Sequence, residues 1–126
     1  MARKQFETLT EQMYYVLLSL QQPRHGYAVM RYAADLTGGR VKIGAGTLYT
    51  LLGRFEEEGY IALCPVQEGG RKCYRLTEAG ELLLWGEFQR LKRLVEDGER
   101  LIKKDQKLPD GRMILDGRLL GKGERP

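Results

Sequence analysis

From Glu78 to Lys104 the chain reads as one long amphipathic helix, and that segment limits the folds open to a protein of 126 residues. Leu84, Phe88, Leu91, Val95, Gly98 and Ile102 follow one another at steps of 4, 3, 4, 3 and 4, the spacing of a heptad seam. Leu94 and Leu101 widen the stripe. At 1.5 Å per residue, roughly 27 residues make a rod of about 40 Å, longer than one small domain. The seam could pack on the first helix of its own chain, but its far end would stay bare. A second copy of the chain is the economical cover. The dimer seam is therefore assigned to Leu84, Phe88, Leu91, Val95 and Ile102. Gly98 leaves a gap in it, so either the helices approach closely there or a cavity opens. A cavity flanked by Phe88, Leu91 and Val95 could hold an apolar ligand. Trp85 stands one step off the seam, where packing is the commoner role of a tryptophan, and is grouped with that candidate pocket.

Upstream, three shorter helices and a hairpin are expected. Thr8 and Glu11 have capping-box spacing, so a first helix starts near Thr8 or Thr10. Leu9, Met13, Val16, Leu17 and Leu20 give it a core-facing stripe, and Pro23 ends it. A second helix runs from about Tyr27 to Leu36, with Val29, Ala33 and Leu36 on one face and Met30 beside them. Gly38 and Gly39 stop it. After the link "RVKIGA", a third helix covers roughly Gly46 to Glu58, with Gly59 as its C-terminal glycine. "YIALCPV", "QEGG" and "RKCYRL" read as strand, turn and strand, and Pro65 makes the first an edge strand or ends it early. Thr77 is placed to cap the long helix. The Gly- and charge-rich stretch from Asp105, with its doublet "DGRMIL" and "DGRLL", is expected as a flexible or weakly structured tail or a short hairpin.

The resulting order is helix, helix, helix, hairpin, long helix. It is the order of a winged helix-turn-helix: mainly α with a β-hairpin, spanning residues 1–77, then a dimerisation helix over 78–104 and the tail at 105–126. The major groove of DNA admits one helix whose N-terminal residues reach base edges. The third helix suits that task. Leu48, Leu51, Leu52 and Phe55 make an apolar face, while Gly46, Thr47, Tyr49, Thr50 and Gly53 keep the opposite face low. Its acids, Glu56 to Glu58, fall at the end that points away from phosphate. Tyr49 is ambiguous: its hydroxyl can donate to phosphate, yet its ring lies at the edge of the buried face. Arg71 and Lys72 follow the hairpin's glycine turn, where two cations can reach phosphate or the minor groove. On their own they would sooner serve to block edge-to-edge strand pairing; beside the third helix the DNA reading prevails.

Composition narrows the class further. There are 21 Lys+Arg against 17 Asp+Glu, a formal +4, so where the cations sit matters more than the total. A single histidine, with no phosphate-binding loop and no dinucleotide fingerprint, argues against an enzyme. His25 stands in a turn without a third ligand at metal spacing, so no metal and no cofactor are expected. "MARKQFETLT" lacks the apolar core of a secretory signal, and "YYVLLSL" is far too short to cross a membrane. The expected setting is cytoplasmic, with Cys64 and Cys73 as reduced thiols used as small apolar residues. Their geometry stays open. A turn centred between Glu68 and Gly69 sets them opposite each other, where they could form a redox switch at the wing, whereas one centred on Gly69-Gly70 puts them out of register.

"HGYAVMR", "GTLYTLLGRFEEEGYI" and "GGRKCYRLTEAG", in that order, resemble the PadR family of bacterial transcriptional regulators over about residues 8 to 95. The resemblance implies a winged helix-turn-helix with a C-terminal dimerisation helix. It implies a homodimer on a roughly palindromic operator in double-stranded DNA, usually as a repressor, often released by a small aromatic or drug-like effector. Carried over position by position, Thr47, Tyr49, Thr50 and Arg54 fall on the DNA-facing side of the reading helix, Lys42 beside a phosphate, and Arg71 and Lys72 on the basic wing. Tyr74 and Leu76 match inward strand positions. Cys73 departs from the aromatic often found there. The single helix and tail resemble the short subgroup, in which the tryptophan of the drug pocket corresponds to Leu91 and not to Trp85. A protein-interaction adaptor is the alternative, since winged helices also bind proteins; so is a regulator without an effector.

Overall fold

The computed structural model describes residues 8–65, 67 and 69–124. The chain divides into two compact units, Met1–Gln89 and Arg90–Pro126. In the first, α1 (Glu11–Ser19), β1 (Arg24–His25), α2 (Gly26–Leu36), α3 (Ala45–Glu57), β2 (Ile61–Leu63) and β3 (Cys73–Leu76) lead into α4 (Glu78–Leu101), which runs on into the second. The second unit adds β4 (Asp105–Lys107), β5 (Met113–Leu115) and β6 (Arg118–Leu120).

The stripe read for the first helix is the heart of the core. Val16, Leu17 and Leu20 lie buried with Val29 and Ala33 of α2 and Leu48, Leu52 and Phe55 of α3. The cap of α1 is Thr10, whose hydroxyl accepts from the Met13 backbone N–H at 3.2 Å. The return bond of the box comes to the Met13 sulfur, at 3.5 Å from the Thr10 nitrogen, and not to Glu11. Glu11 instead pairs with Arg40, which also donates to the Tyr15 hydroxyl. In the link before α3, Val41 and Ile43 are buried and Lys42 between them is exposed, the alternation of an extended segment.

Both α2 and α3 end in Schellman motifs. Gly39 N–H bonds Ala34 O and Gly38 N–H bonds Asp35 O; Tyr60 N–H bonds Phe55 O and Gly59 N–H bonds Glu56 O. The glycines at φ +62° and +83° supply the left-handed step. Leu36, expected on the buried face of α2, is exposed at the last residue of the helix.

The sheet has the order β1-β3-β2, antiparallel throughout, with β2 on an edge as Pro65 suggested. Leu63 pairs with Tyr74, so the register sets Cys64 opposite Cys73. Glu68, invoked for the turn, and Val66 lie outside the described residues. The reduced-thiol expectation is corrected: the two cysteines form a disulfide, with Cα atoms 5.4 Å apart. Thr77 then ties three elements together. Its hydroxyl donates to Gly59 O at 2.6 Å and accepts from Gly80 N–H at 3.1 Å, and its own N–H bonds Tyr60 O. Gly80 is required there, since a Cβ would lie 2.0 Å from Tyr60 O.

In the second unit the expected weakly structured tail is a three-stranded antiparallel sheet, β4-β5-β6. Asp116 and Gly117, at φ 51° and 77°, form the two-residue turn between β5 and β6, the conformation an Asp-Gly pair favours. Asp116 N–H bonds the Asp105 carboxylate at 3.0 Å. Strand formation also shortens the long helix, which ends at Leu101 rather than Lys104.

Candidate nucleic-acid interface

The outer face of α3 is open. No atom of another element would meet a Cβ at Gly46 or Gly53 within 4 Å, and Thr47, Thr50 and Arg54 are exposed beside them. Behind them Leu48, Leu52 and Phe55 are buried. The glycine N-cap leaves the first turn without a side-chain cap, so its backbone N–H groups face outward for an acceptor. Lys42, two residues before the Gly44 N-cap, is exposed.

Tyr49 takes neither of its two expected roles in pure form. Its ring is 56% exposed, so it is not core. Yet it rests on the start of α2: a Cβ at Gly26 would lie 3.1 Å from both its Cε1 and its hydroxyl oxygen. A hollow of about 400 Å³ gathers His25, Tyr27, Tyr49, Arg71, Lys72 and Tyr74. Helix α3 and the hairpin are thus brought to one place, with α2 supplying its floor. Sequence reasoning named Tyr49, Arg71 and Lys72 but left out His25 and Tyr27. The string "HGY" carried that signal, because a glycine between two hydrogen-bonding rings at a helix start marks a close approach. His25 Nδ1 is buried with no hydrogen-bond partner among the described residues.

The charge pattern of this face is graded. Arg71 and Lys72 are exposed at the hairpin. Glu56, at the far end of α3, lies near enough to Tyr74 to raise its hydroxyl pKa, after burial and ahead of Tyr49. Of the acids at the end of α3, Glu56 is the one whose charge reaches the strand.

Residues 16–84 match the family model of the transcriptional regulator PadR-like family. The chain belongs to that family. It is a family of transcriptional regulators, not of enzymes, and its winged-helix fold is the one described above. A PadR family regulator from Eggerthella lenta is 32% identical, with a TM-score of 0.62 over 72% of this chain and 80% of its own. A transcriptional regulator from Clostridium thermocellum shares the fold at 22% identity and TM-score 0.62, over 73% of this chain and 89% of that one. Bacillus subtilis PadR, solved in complex with operator DNA, shares it at 19% identity and TM-score 0.53, over 71% of this chain and 61% of its own. No curated protein sequence matches the chain.

In this PadR-like chain the seam residues separate by exposure. Leu84 is buried at 7% in the core of its own unit, because Gly80 lets α4 begin hard against Tyr60. Phe88 and Val95 are 43% and 59% exposed, Leu91 is half-buried, and Ile102, just past the helix end, is exposed. The residues grouped as a ligand pocket also separate. Trp85 and Phe88, with ring centroids 5.6 Å apart, line a cleft of about 550 Å³ with Tyr14, Leu18, Glu81 and Leu84. Val95 belongs to a shallow groove with Leu94, Gly98 and Ile102, and Leu91 lines neither. Among the described residues no helix is long and apolar enough to cross a membrane, and no cluster of His, Cys, Asp or Glu could hold a metal.

Proposed function

We propose that this PadR-like protein is a homodimeric repressor that binds a palindromic operator through α3 and the β2–β3 hairpin and is released by a small aromatic or drug-like effector. The observation that carries the DNA reading is the convergence of Tyr49, Arg71 and Lys72 beside the open face of α3. Thr47 and Thr50 are the base readers, and Arg54, Lys42, Arg71 and Lys72 hold phosphate or the minor groove. Two α3 helices related by a two-fold axis take half-sites about 34–36 Å apart, or a multiple of that.

Support for the homodimer is the stripe of Leu94, Val95 and Leu101 on α4, each more than half exposed in one chain. Support for the effector is the aromatic wall of Trp85 and Phe88 on the cleft beside α1. A gel shift against the DNA flanking the protein's own gene, repeated across salt concentrations, tests the reading. A band that weakens steeply with salt is expected. Its absence at every salt concentration would leave the protein-interaction adaptor as the better account.

A further inference from the structure

The chain has two cysteines, and both lie on the hairpin at facing positions. Their Cα separation of 5.4 Å falls in the range a disulfide needs. Neither cysteine belongs to the hydrophobic core cluster, so the bond is not a staple for the domain. Both are half-buried, within reach of a small thiol. What the bond closes is the loop that carries the wing's cations. Arg71 and Lys72 immediately precede Cys73, and the glycines before them, Gly69 and Gly70, both hold left-handed φ values of +60° and +72°. On the loop side, Gln67 spans the gap with its amide. Its Nε2 donates to Cys64 O at 3.0 Å and Cys73 O at 3.1 Å, and its Oε1 accepts from Cys73 N–H at 2.8 Å. That side chain is exposed, and water competes for each of those bonds.

We propose that Cys64 and Cys73 are a reversible thiol–disulfide switch that sets the order of the wing and, through it, the placement of Arg71 and Lys72. The disulfide form is the ordered, DNA-binding form; the dithiol form releases the loop. Only the effect on DNA rests on the function proposed above.

The step is a two-electron exchange. A thiolate of a low-molecular-weight dithiol attacks one Sγ. The S–S bond breaks, and the other Sγ leaves as a thiolate with the bonding pair. The second thiolate of the reagent then attacks the mixed disulfide, frees the first cysteine and closes a cyclic disulfide. The protein gains two electrons and, once both thiolates are protonated, two protons. A small disulfide takes them back in the reverse step.

The test poises the full chain at a series of reduced-to-oxidised dithiothreitol ratios and measures alkylatable thiols, amide hydrogen exchange and DNA affinity on the same samples. The thiol count should move between none and both in one two-electron transition. Exchange in the segment 67–73 should speed by about tenfold on reduction while the amides of α1 to α3 hold, because closing a short loop restricts only that loop. DNA affinity should fall by roughly three- to tenfold. The double variant Cys64→Ser/Cys73→Ser should match the reduced protein at every ratio. The proposal is overturned if the thiols do not interconvert, if hairpin exchange is equal in both states, if the core loses protection together with the hairpin, or if DNA is bound equally in both. A switch in hairpin exchange with no DNA binding in either state would support the device and remove the DNA-binding reading instead.

Discussion

The winged-helix unit and the C-terminal half of α4 treat their apolar residues in opposite ways. In the first, nearly every apolar residue of the periodic stripes is buried: Val16, Leu17, Val29, Leu48 and Phe55 are 0% exposed. In the second, Leu94, Val95 and Leu101, with Ile102 just past the helix end, continue the same kind of periodicity and stay between 54% and 80% exposed. One pattern closes on itself; the other is left bare on the single chain. The lesson is that helical spacing records which residues need cover, not where the cover comes from.

The comparison can be broken at its sharpest point first. Gly80→Ala forces a methyl into Tyr60 O, where backbone cannot give way, and should cost about 3 kcal/mol or more in denaturant unfolding. The matching change at Gly86, on the same helix with nothing within 4 Å of a Cβ, should leave the protein as stable or stabilise it by about 0.5–1 kcal/mol. Equal losses at both sites would show that the close approach is not what holds α4 to its domain. Next, Leu94→Glu with Val95→Glu should leave the unfolding midpoint of the winged-helix unit in place and convert a dimer to monomer in sedimentation, since a two-fold interface meets each charge twice. A monomeric wild-type protein would remove the reason offered for the bare stripe.

Smaller effects sharpen the contrast within the binding face. Arg71→Ala should weaken binding to all DNA sequences alike, by roughly tenfold, and reduce the salt slope by about 1. Thr50→Ala should instead shift preference among sequences, by about 1–3 kcal/mol at the affected base pair, readable in competition binding. Last is pH. Burial raises the hydroxyl pKa of both Tyr14 and Tyr74 above the ordinary 10.0. Their contribution to stability is therefore complete below pH 10.0 and is lost as pH rises through the raised folded-state values. Unfolding midpoints measured above pH 10 should decline, and Tyr14→Phe with Tyr74→Phe should flatten that decline.

Much of this architecture was legible in the residue pattern, for identifiable reasons. The stripes of α1 and α3 are local, the glycine stops of α2 and α3 depend on a backbone conformation few other residues adopt, and Thr77 caps where its spacing said it would. What escaped depended on distant partners. Of the two starts read for α1, Thr10 is the cap, while Glu11, the acid of the expected box, pairs with Arg40 far along the chain. The cysteine pairing hung on one step of register, which composition cannot give. The strands after Asp105 are three residues each, too short for periodicity to show, although "DG" at Asp116-Gly117 was a turn signal in plain view. At the candidate interface α3 and the hairpin were visible one by one. Their meeting was signalled only by the glycine of the string "HGY": Tyr49 rests on Gly26 at the start of α2, beside the hairpin.

Thr77 has a mechanical consequence. Its hydroxyl and its N–H fasten the first turn of α4 to the carbonyls of Gly59 and Tyr60, the two residues that close the end of α3. The hinge between these helices is bolted on both sides of the peptide. Because these three bonds join the start of α4 directly to the end of α3, neither end can turn without straining the other.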